Sequence, residues 1–175
     1  MSTKPEMPTY TVGYAIRGSK GNEEVLLGVK TSNKKSRKMG TAGKLIGYGG
    51  ELEDYDESAK TGFIREFLEE TGRPNTVINP RNVREAASVE IRREDGKTFL
   101  LKVFLLFRYR GRPLDTREIK GARWYPARNL PNNVMPSDQI FFRRILDDNR
   151  LITGWLLYAR GKRMVLKDFG LEPQH

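Results

Sequence analysis

The chain has 175 residues, no cysteine, a single histidine and a formal net charge of +10 at pH 7. This length suits one domain with a sizeable core. Without cysteine there are no disulfides or thiolate metal sites, and with His175 alone we expect neither a histidine-based triad nor a zinc site. The positive charge favours anionic partners such as nucleotides or nucleic acid.

We expect residues 1–175 to form one domain, with residues 1–8 as a flexible tail because that segment is polar and contains proline. The tail lacks the apolar stretch of a signal peptide, and no run approaches the roughly 20 apolar residues of a membrane span. These features predict a cytoplasmic protein with no membrane partner. In a eukaryote, the nucleus or an organelle would fit equally well.

Apolar or alternating runs between turn residues predict the strands. The chain order of these runs is 10–17, 25–30, 45–48, 83–93, 98–109, 121–126, 151–160 and 163–168. Residues 94–97 are a hairpin signal, and we expect Gly161 to turn the last pair. Residues 31–44, rich in serine, lysine and glycine, predict a flexible basic loop.

Two helices are predicted from their end signals. The first has Ser58 as its N-cap and Gly72 as its stop, and the second begins at Ser137. Strands before, between and after two helices predict an α/β fold with a mixed sheet between helices.

Three glutamates on the first helix carry the clearest chemical signal. Glu66, Glu69 and Glu70 stand at i, i+3 and i+4, so they share one helix face and repel one another. A divalent cation would remove that repulsion, and the neighbouring Gly49-Gly50 loop could approach the same face. The pattern indicates a hard-metal site for phosphate chemistry, although a merely solvated acidic face is the alternative.

Residues 50–73 resemble the signature of the Nudix hydrolase family. That pattern is glycine, five residues, glutamate, seven residues, Arg-Glu, an apolar residue, any residue, Glu-Glu, any residue, glycine and an apolar residue. Counting back from Arg65 gives Glu57 as the first glutamate, which implies a one-residue insertion between Gly50 and Glu57. Arg73 departs from the pattern, since an apolar residue is usual there.

This resemblance implies an α/β/α sandwich that hydrolyses phosphoric anhydrides with Mg²⁺, or with Mn²⁺ in its place. It implies that Glu66, Glu69 and Glu70 bind the metal together with the Gly49 carbonyl, and that one glutamate helps to activate water. Arg65 and Glu57 would orient the cluster.

Beyond the signature, the chain is similar to the oxidised-purine nucleoside triphosphatases of the family, which act on 8-oxo-dGTP. The similarity lies in Val25–Lys30, Gly47–Gly50, Trp124, Met135–Asp138 and Gly154–Tyr158. It implies that Glu118 also reaches the metal and that Lys30 lies near the phosphates. The remaining substrate contacts that it implies are Ile46, Tyr48, Gly50, Met135 and Asp138.

Several of these positions depart from that subgroup. Ile46 replaces a base-reading asparagine and has no side-chain hydrogen bond to offer, and Met135 replaces a tryptophan. We therefore expect hydrolysis of a nucleotide more firmly than selection of an oxidised base. Asp138 could instead serve as a helix-dipole partner, and Glu118 as a solvated loop charge.

The leading hypothesis is hydrolysis of a nucleoside triphosphate to the monophosphate and pyrophosphate. Alternative substrates are an RNA 5′ end, a dinucleoside polyphosphate or ADP-ribose, and residues 30–44 would favour RNA because six of them are basic and none is acidic. A non-catalytic nucleotide-binding domain is a further alternative, which the intact glutamates disfavour. A second basic stretch contains Arg108, Arg110 and Arg112, either as a solvated surface or as an anion contact.

Overall fold

The computed structural model describes residues 7–159 and 165–175 of the chain. Its strands are β1 Thr9–Arg17, β2 Glu24–Lys30, β3 Leu45–Ile46, β4 Thr76–Ile78, β5 Val83–Arg93, β6 Thr98–Leu106, β7 Tyr109–Gly111, β8 Ile119–Pro126, β9 Ile152–Tyr158 and β10 Leu166–Pro173. Its helices are α1 Lys34–Met39, α2 Ala59–Glu70 and α3 Pro136–Asp147, with a short 3₁₀ helix at Pro80–Asn82. Among the described residues, no helix has the length and apolar character needed to cross a bilayer.

Eight of the strands form one mixed sheet. Its order is β10-β9-β5-β6-β1-β2-β3, and β8 lies off this path and pairs with β2. β1 runs parallel to β6 and β5 parallel to β9, whereas the other pairs are antiparallel. β4 and β7 form a separate two-stranded sheet. The predicted α/β fold with a mixed sheet between helices is therefore confirmed.

Two apolar cores cover the two faces of the large sheet, because side chains alternate along each strand. On β1, Tyr14 belongs to the core that contains Phe141 of α3, whereas its neighbour Ala15 belongs to the core that contains Phe63 of α2. The sheet thus separates α2 from α3, and both helices bury aromatic residues against it. This arrangement fixes the position of the acidic helix relative to β1.

Helix α2 begins as the sequence predicts. The Ser58 hydroxyl accepts a hydrogen bond from the Thr61 amide at 3.2 Å, which satisfies one of the free amides of the first turn. The helix lies close to β1 because Gly13 has no side chain: a Cβ there would stand 2.0 Å from the Phe63 ring. At the other end, Gly72 adopts φ 82°, a conformation that favours glycine and stops the helix.

The predicted flexible loop at 31–44 is wrong in part, because residues 34–39 form α1. Asn33 caps this helix through a hydrogen bond from the Ser36 amide at 2.8 Å, and Gly40 ends it with φ 74°. Ser36 is also buried, so the segment is anchored to the fold. Residues 1–6 of the predicted flexible tail lie outside the described part of the chain. The predicted turn at Gly161 lies outside it as well.

Candidate active site

The glutamates of α2 are held by an arginine on the same helix. Arg65 donates to Glu66 Oε1 at 2.7 Å and, more weakly, to Glu69 Oε2 at 3.4 Å. Its Nε and Nη2 donate to the two carboxylate oxygens of Asp56 at 3.0 and 2.9 Å. This two-point contact fixes the guanidinium plane and holds it against the Glu66 carboxylate.

Asp56, rather than Glu57, supports Arg65. The Asp56 side chain is 4% exposed and the Arg65 guanidinium holds its pKa below the usual value, whereas Glu57 is exposed and has no polar partner among the described residues. The predicted orienting role of Glu57 is therefore corrected. Gly50 and Asp56 enclose five residues, the spacing of the family pattern, so the extra residue falls between Asp56 and Arg65.

Glu70 is the buried member of the acidic face. Its side chain is 4% exposed, and its Oε2 accepts a hydrogen bond from the Gly49 amide at 2.8 Å. Its Oε1 is buried without a hydrogen-bond partner and lies 3.6 Å from Lys30 Nζ. Burial raises the pKa of Glu70 to about 8 despite the nearby Lys30 and the Gly49 amide.

Strand pairing brings a further carboxylate to this point. Lys30 ends β2 and pairs with Ile119 of β8, so Glu118 stands directly beside it. Lys30 Nζ donates to Glu118 Oε2 at 2.8 Å, and this contact lowers the pKa of Glu118. The Lys30 ammonium thus lies between Glu70 and Glu118.

The two other glutamates of the α2 face, Glu66 and Glu69, differ in exposure. Glu66 lies against the glycine loop, since a Cβ on Gly50 would stand 2.6 Å from the Glu66 carboxylate carbon. Burial raises the pKa of Glu66. The Glu69 side chain is 51% exposed and contacts only Arg65 among charged partners in the described part of the chain. The structure therefore brings together Glu66, Glu70 and Glu118 and leaves Glu69 at the rim.

This arrangement fits a hard divalent cation in its donor chemistry. Carboxylate oxygens are the ligands that Mg²⁺ prefers, and the unpartnered Oε1 of Glu70 is a buried acceptor that a cation would satisfy. Among the described residues, however, no three acidic side chains are already arranged to hold an ion. The ammonium of Lys30 supplies the positive charge between Glu70 and Glu118.

A cavity of about 360 Å³ opens next to these carboxylates. Apolar side chains, including Ile46, Phe99 and Met135, line its walls. The residues of the carboxylate end that line it are Lys30, Gly49, Gly50, Glu66 and Glu118. Tyr48, a predicted substrate contact, is instead buried in the core with its ring 5.1 Å from that of Phe67, and it is not part of the lining.

The cavity also holds a buried carboxyl group away from the glutamates. Asp138 Oδ1 accepts a hydrogen bond from the Tyr14 hydroxyl at 2.6 Å, while Oδ2 is buried without a partner. Burial raises the pKa of Asp138 to about 7. Sequence reasoning found Asp138 but missed Tyr14, which read as an ordinary strand residue.

The basic segment predicted at 30–44 borders the same cavity. Lys35 on α1 and Lys30 on β2 both belong to the lining, and Lys34, Arg37 and Lys38 of α1 are exposed. The segment therefore surrounds one side of the cavity with positive charge.

The chain matches one family model, and its fold resembles those of solved proteins. The model of the NUDIX domain family matches residues 7–145. A MutT protein from Bacillus halodurans superposes with a TM-score of 0.71 at 22% identity, covering 97% of this chain and 100% of that one. A MutT protein from Methanosarcina mazei Go1 gives 0.59 at 25% identity, covering 83% and 99%.

A third solved structure includes a ligand. The NUDIX domain of NrtR from Shewanella oneidensis, complexed with ADP ribose, gives a TM-score of 0.51 at 15% identity and covers 71% of this chain and 79% of that one. No curated protein sequence matches the chain.

Proposed function

Because this chain belongs to the NUDIX domain family, we propose that it is a Mg²⁺-dependent hydrolase that cleaves a nucleoside triphosphate to the monophosphate and pyrophosphate. Hydrolases of this family generally use divalent ions such as Mg²⁺. The observation that carries the proposal is the buried Glu70 carboxylate, whose Oε1 is unpartnered beside Lys30 and Glu118.

A divalent ion would be held by Glu66, Glu70 and Glu118, with Glu69 at the exposed end of the same face and the Gly49 carbonyl as a further predicted ligand. Once bound, the ion neutralises phosphate charge and polarises phosphorus. Manganese would suit the same oxygen ligands.

The protein's own groups would position the substrate. Lys30 Nζ is placed to pair with phosphate oxygens, because it already lies within 3.6 Å of two carboxylates at the cavity. Arg65 holds Glu66 in place through its contacts with Asp56. A carboxylate of the acidic face would accept the proton of the attacking water.

The base would lie in the apolar part of the cavity between Ile46 and Met135. Asp138 would contact its edge, since one carboxyl oxygen there has no partner. We include oxidised purines such as 8-oxo-dGTP among the substrates to be tested, because oxidation changes the donors and acceptors on that edge.

The basic side of the cavity supports a second candidate, hydrolysis at a substrate larger than a free triphosphate. Lys35 of α1 lines the cavity and further exposed cations follow on the same helix, which would suit the phosphates of an RNA 5′ end. A dinucleoside polyphosphate or ADP-ribose would also fit this scheme, and ADP ribose is the ligand of the NrtR domain. Replacing Lys34, Lys35 and Arg37 with alanine would weaken RNA binding under this candidate, and unchanged affinity would remove it.

A hydrolysis screen tests the main proposal. The full chain is incubated with a nucleotide panel that includes 8-oxo-dGTP, a capped RNA and ADP-ribose, with Mg²⁺ or Mn²⁺, and the products are identified. Monophosphate and pyrophosphate are expected, and Glu69→Gln should slow their release because it removes a charge from the metal face. Nucleotide binding without any metal-dependent product would instead indicate a non-catalytic domain. Full activity of Glu69→Gln would contradict the ligand role that the family resemblance implies for Glu69.

A further inference from the structure

A second concave surface lies away from the candidate active site. Two cavities of about 790 and 610 Å³ adjoin there, because Ile16, Arg17, Phe107 and Arg108 line both of them. We call the combined surface the arginine groove. The residues that define it are Arg17, Arg84, Phe107, Arg108, Arg110 and Trp124.

The groove and the active-site cavity occupy opposite ends of the same strands. Tyr10 and Val12 in the first half of β1 line the cavity, whereas Ile16 and Arg17 at its end line the groove. β6 runs parallel to β1 and also extends from the cavity to the groove. Phe99 near the start of β6 lines the cavity, and Phe107, just beyond the end of β6, lines the groove. None of the residues lining the groove also lines the cavity.

The groove carries excess positive charge. Its two acidic lining residues, Glu23 and Asp147, are both paired with Arg128, at 2.9 and 2.8 Å. Arg108 and Arg110 are exposed and have no acidic partner within the described ranges. These two cations are therefore available to an anionic ligand, and they belong to the second basic stretch of the sequence, which the proposed hydrolysis does not use.

Aromatic rings and further guanidinium groups lie in the groove beside the exposed cations. Phe107 is 46% exposed, and the Arg84 guanidinium carbon lies 5.8 Å from its ring centroid. The Arg17 guanidinium carbon lies 4.2 Å from the centroid of the Trp124 ring, and Arg17 Nε donates to Glu24 Oε2 at 2.8 Å, so this arginine contributes a flat surface rather than free charge. Aromatic and guanidinium faces next to one another can stack on unpaired bases while arginines contact phosphates.

We propose that the arginine groove binds a single-stranded nucleic acid. A phosphate backbone matches the unpaired arginines, and unstacked bases match the exposed ring and planar cations. An acidic peptide would satisfy the charges but would leave the aromatic faces unused. A duplex hides its base faces and so would also leave Phe107 uncovered. The proposal does not depend on the hydrolysis proposed above, because the two surfaces share no lining residue.

Fluorescence anisotropy with labelled oligouridine and the full chain tests this binding over a salt series. In Arg108→Ala/Arg110→Ala we expect the dissociation constant to rise about tenfold, and the slope of log affinity against log salt to fall by about 1.4, because two phosphate contacts are lost. Phe107→Leu keeps apolar bulk but removes the ring, and we expect it to weaken binding about fivefold while the salt slope stays unchanged.

A matched control removes equal charge elsewhere. Arg73→Ala/Lys97→Ala takes two exposed cations that line neither the groove nor the cavity, and this pair should leave oligouridine affinity within about twofold of wild type if the groove is the site. Equal weakening by both pairs would overturn the proposal, because it would show an effect of net charge. Equally tight binding of polyglutamate or of a duplex would overturn it as well. Circular dichroism confirms that each variant is folded, and nucleotide hydrolysis by Arg108→Ala/Arg110→Ala should match wild type.

Discussion

The two ends of β1 differ in their ionisable groups, which are buried at one end and exposed at the other. At the cavity end, carboxyl groups are buried, and burial raises the pKa of Glu70 to about 8 and that of Asp138 to about 7. At the groove end, Arg108 and Arg110 are exposed to water. In each of these two carboxyl groups one buried oxygen lacks a hydrogen-bond partner, which costs stability that a bound ligand can restore. Exposed cations cost little and act through long-range attraction that salt screens. The first end suits chemistry on a bound ligand, and the second suits reversible capture of a polyanion.

The largest expected effect is on hydrolysis, which should depend on the cavity end of β1 and not on the groove end. Glu70→Gln removes the buried carboxyl group that we assign to metal binding, so kcat for nucleoside triphosphate hydrolysis should fall about 100-fold or more. The same variant should bind oligouridine as wild type does. Steady-state pyrophosphate release and anisotropy measured on one preparation check both points. Loss of RNA binding together with activity would break the comparison, since it would mean that one surface serves both.

The support beneath the acidic face gives the next effect. Asp56→Ala leaves Arg65 without its two-point partner, so we expect unfolding free energy to fall by about 2 kcal/mol, a value reduced because Arg65 is partly open to solvent. Hydrolysis should slow about tenfold as Glu66 loses its orientation. Chemical denaturation and kinetics measure the two quantities.

Glu57→Ala is the matched control for that variant, because Glu57 is adjacent but exposed. It should leave stability and turnover close to wild type. If Glu57→Ala were the more damaging change, the spacing counted back from Arg65 would identify the orienting residue after all.

A smaller effect concerns Asp138 in the cavity and the dependence of the unfolding free energy on pH. The folded pKa of Asp138 is raised, so its contribution to stability is complete below its unfolded pKa near 3.8 and is lost as pH rises through about 7. Asp138→Asn should remove this part of the loss and make the dependence of unfolding free energy on pH between about 4 and 7 shallower, while the raised pKa values of Glu66 and Glu70 keep the remainder. The KM for a purine nucleotide should also change near pH 7 in wild type but not in the variant. Denaturation midpoints across the pH series provide the test, and an unchanged slope in the variant would show that another group titrates.

Local sequence rules predicted much of the acidic helix because its determinants lie close together in the chain. Ser58 caps α2, Gly72 ends it, and a three- and four-residue spacing places the glutamates on one face whatever the remaining fold does. The same rules missed α1, since a six-residue helix leaves little periodic pattern and depends on the Asn33 cap and the burial of Ser36.

Residues 58–72 of the sequence, by themselves, determined a helix with a shared carboxylate face. Only the tertiary structure decided which acidic groups would be buried, which partner Arg65 would take, and that Tyr48 would face the core rather than the cavity. Only it placed Lys30 beside Glu118, across the pairing of β2 with β8, and collected Arg17, Arg84 and Arg108 into one groove. The physical reason is that helix spacing is fixed by neighbouring residues, whereas burial, pKa and contacts across the sheet depend on residues that folding brings together from far apart.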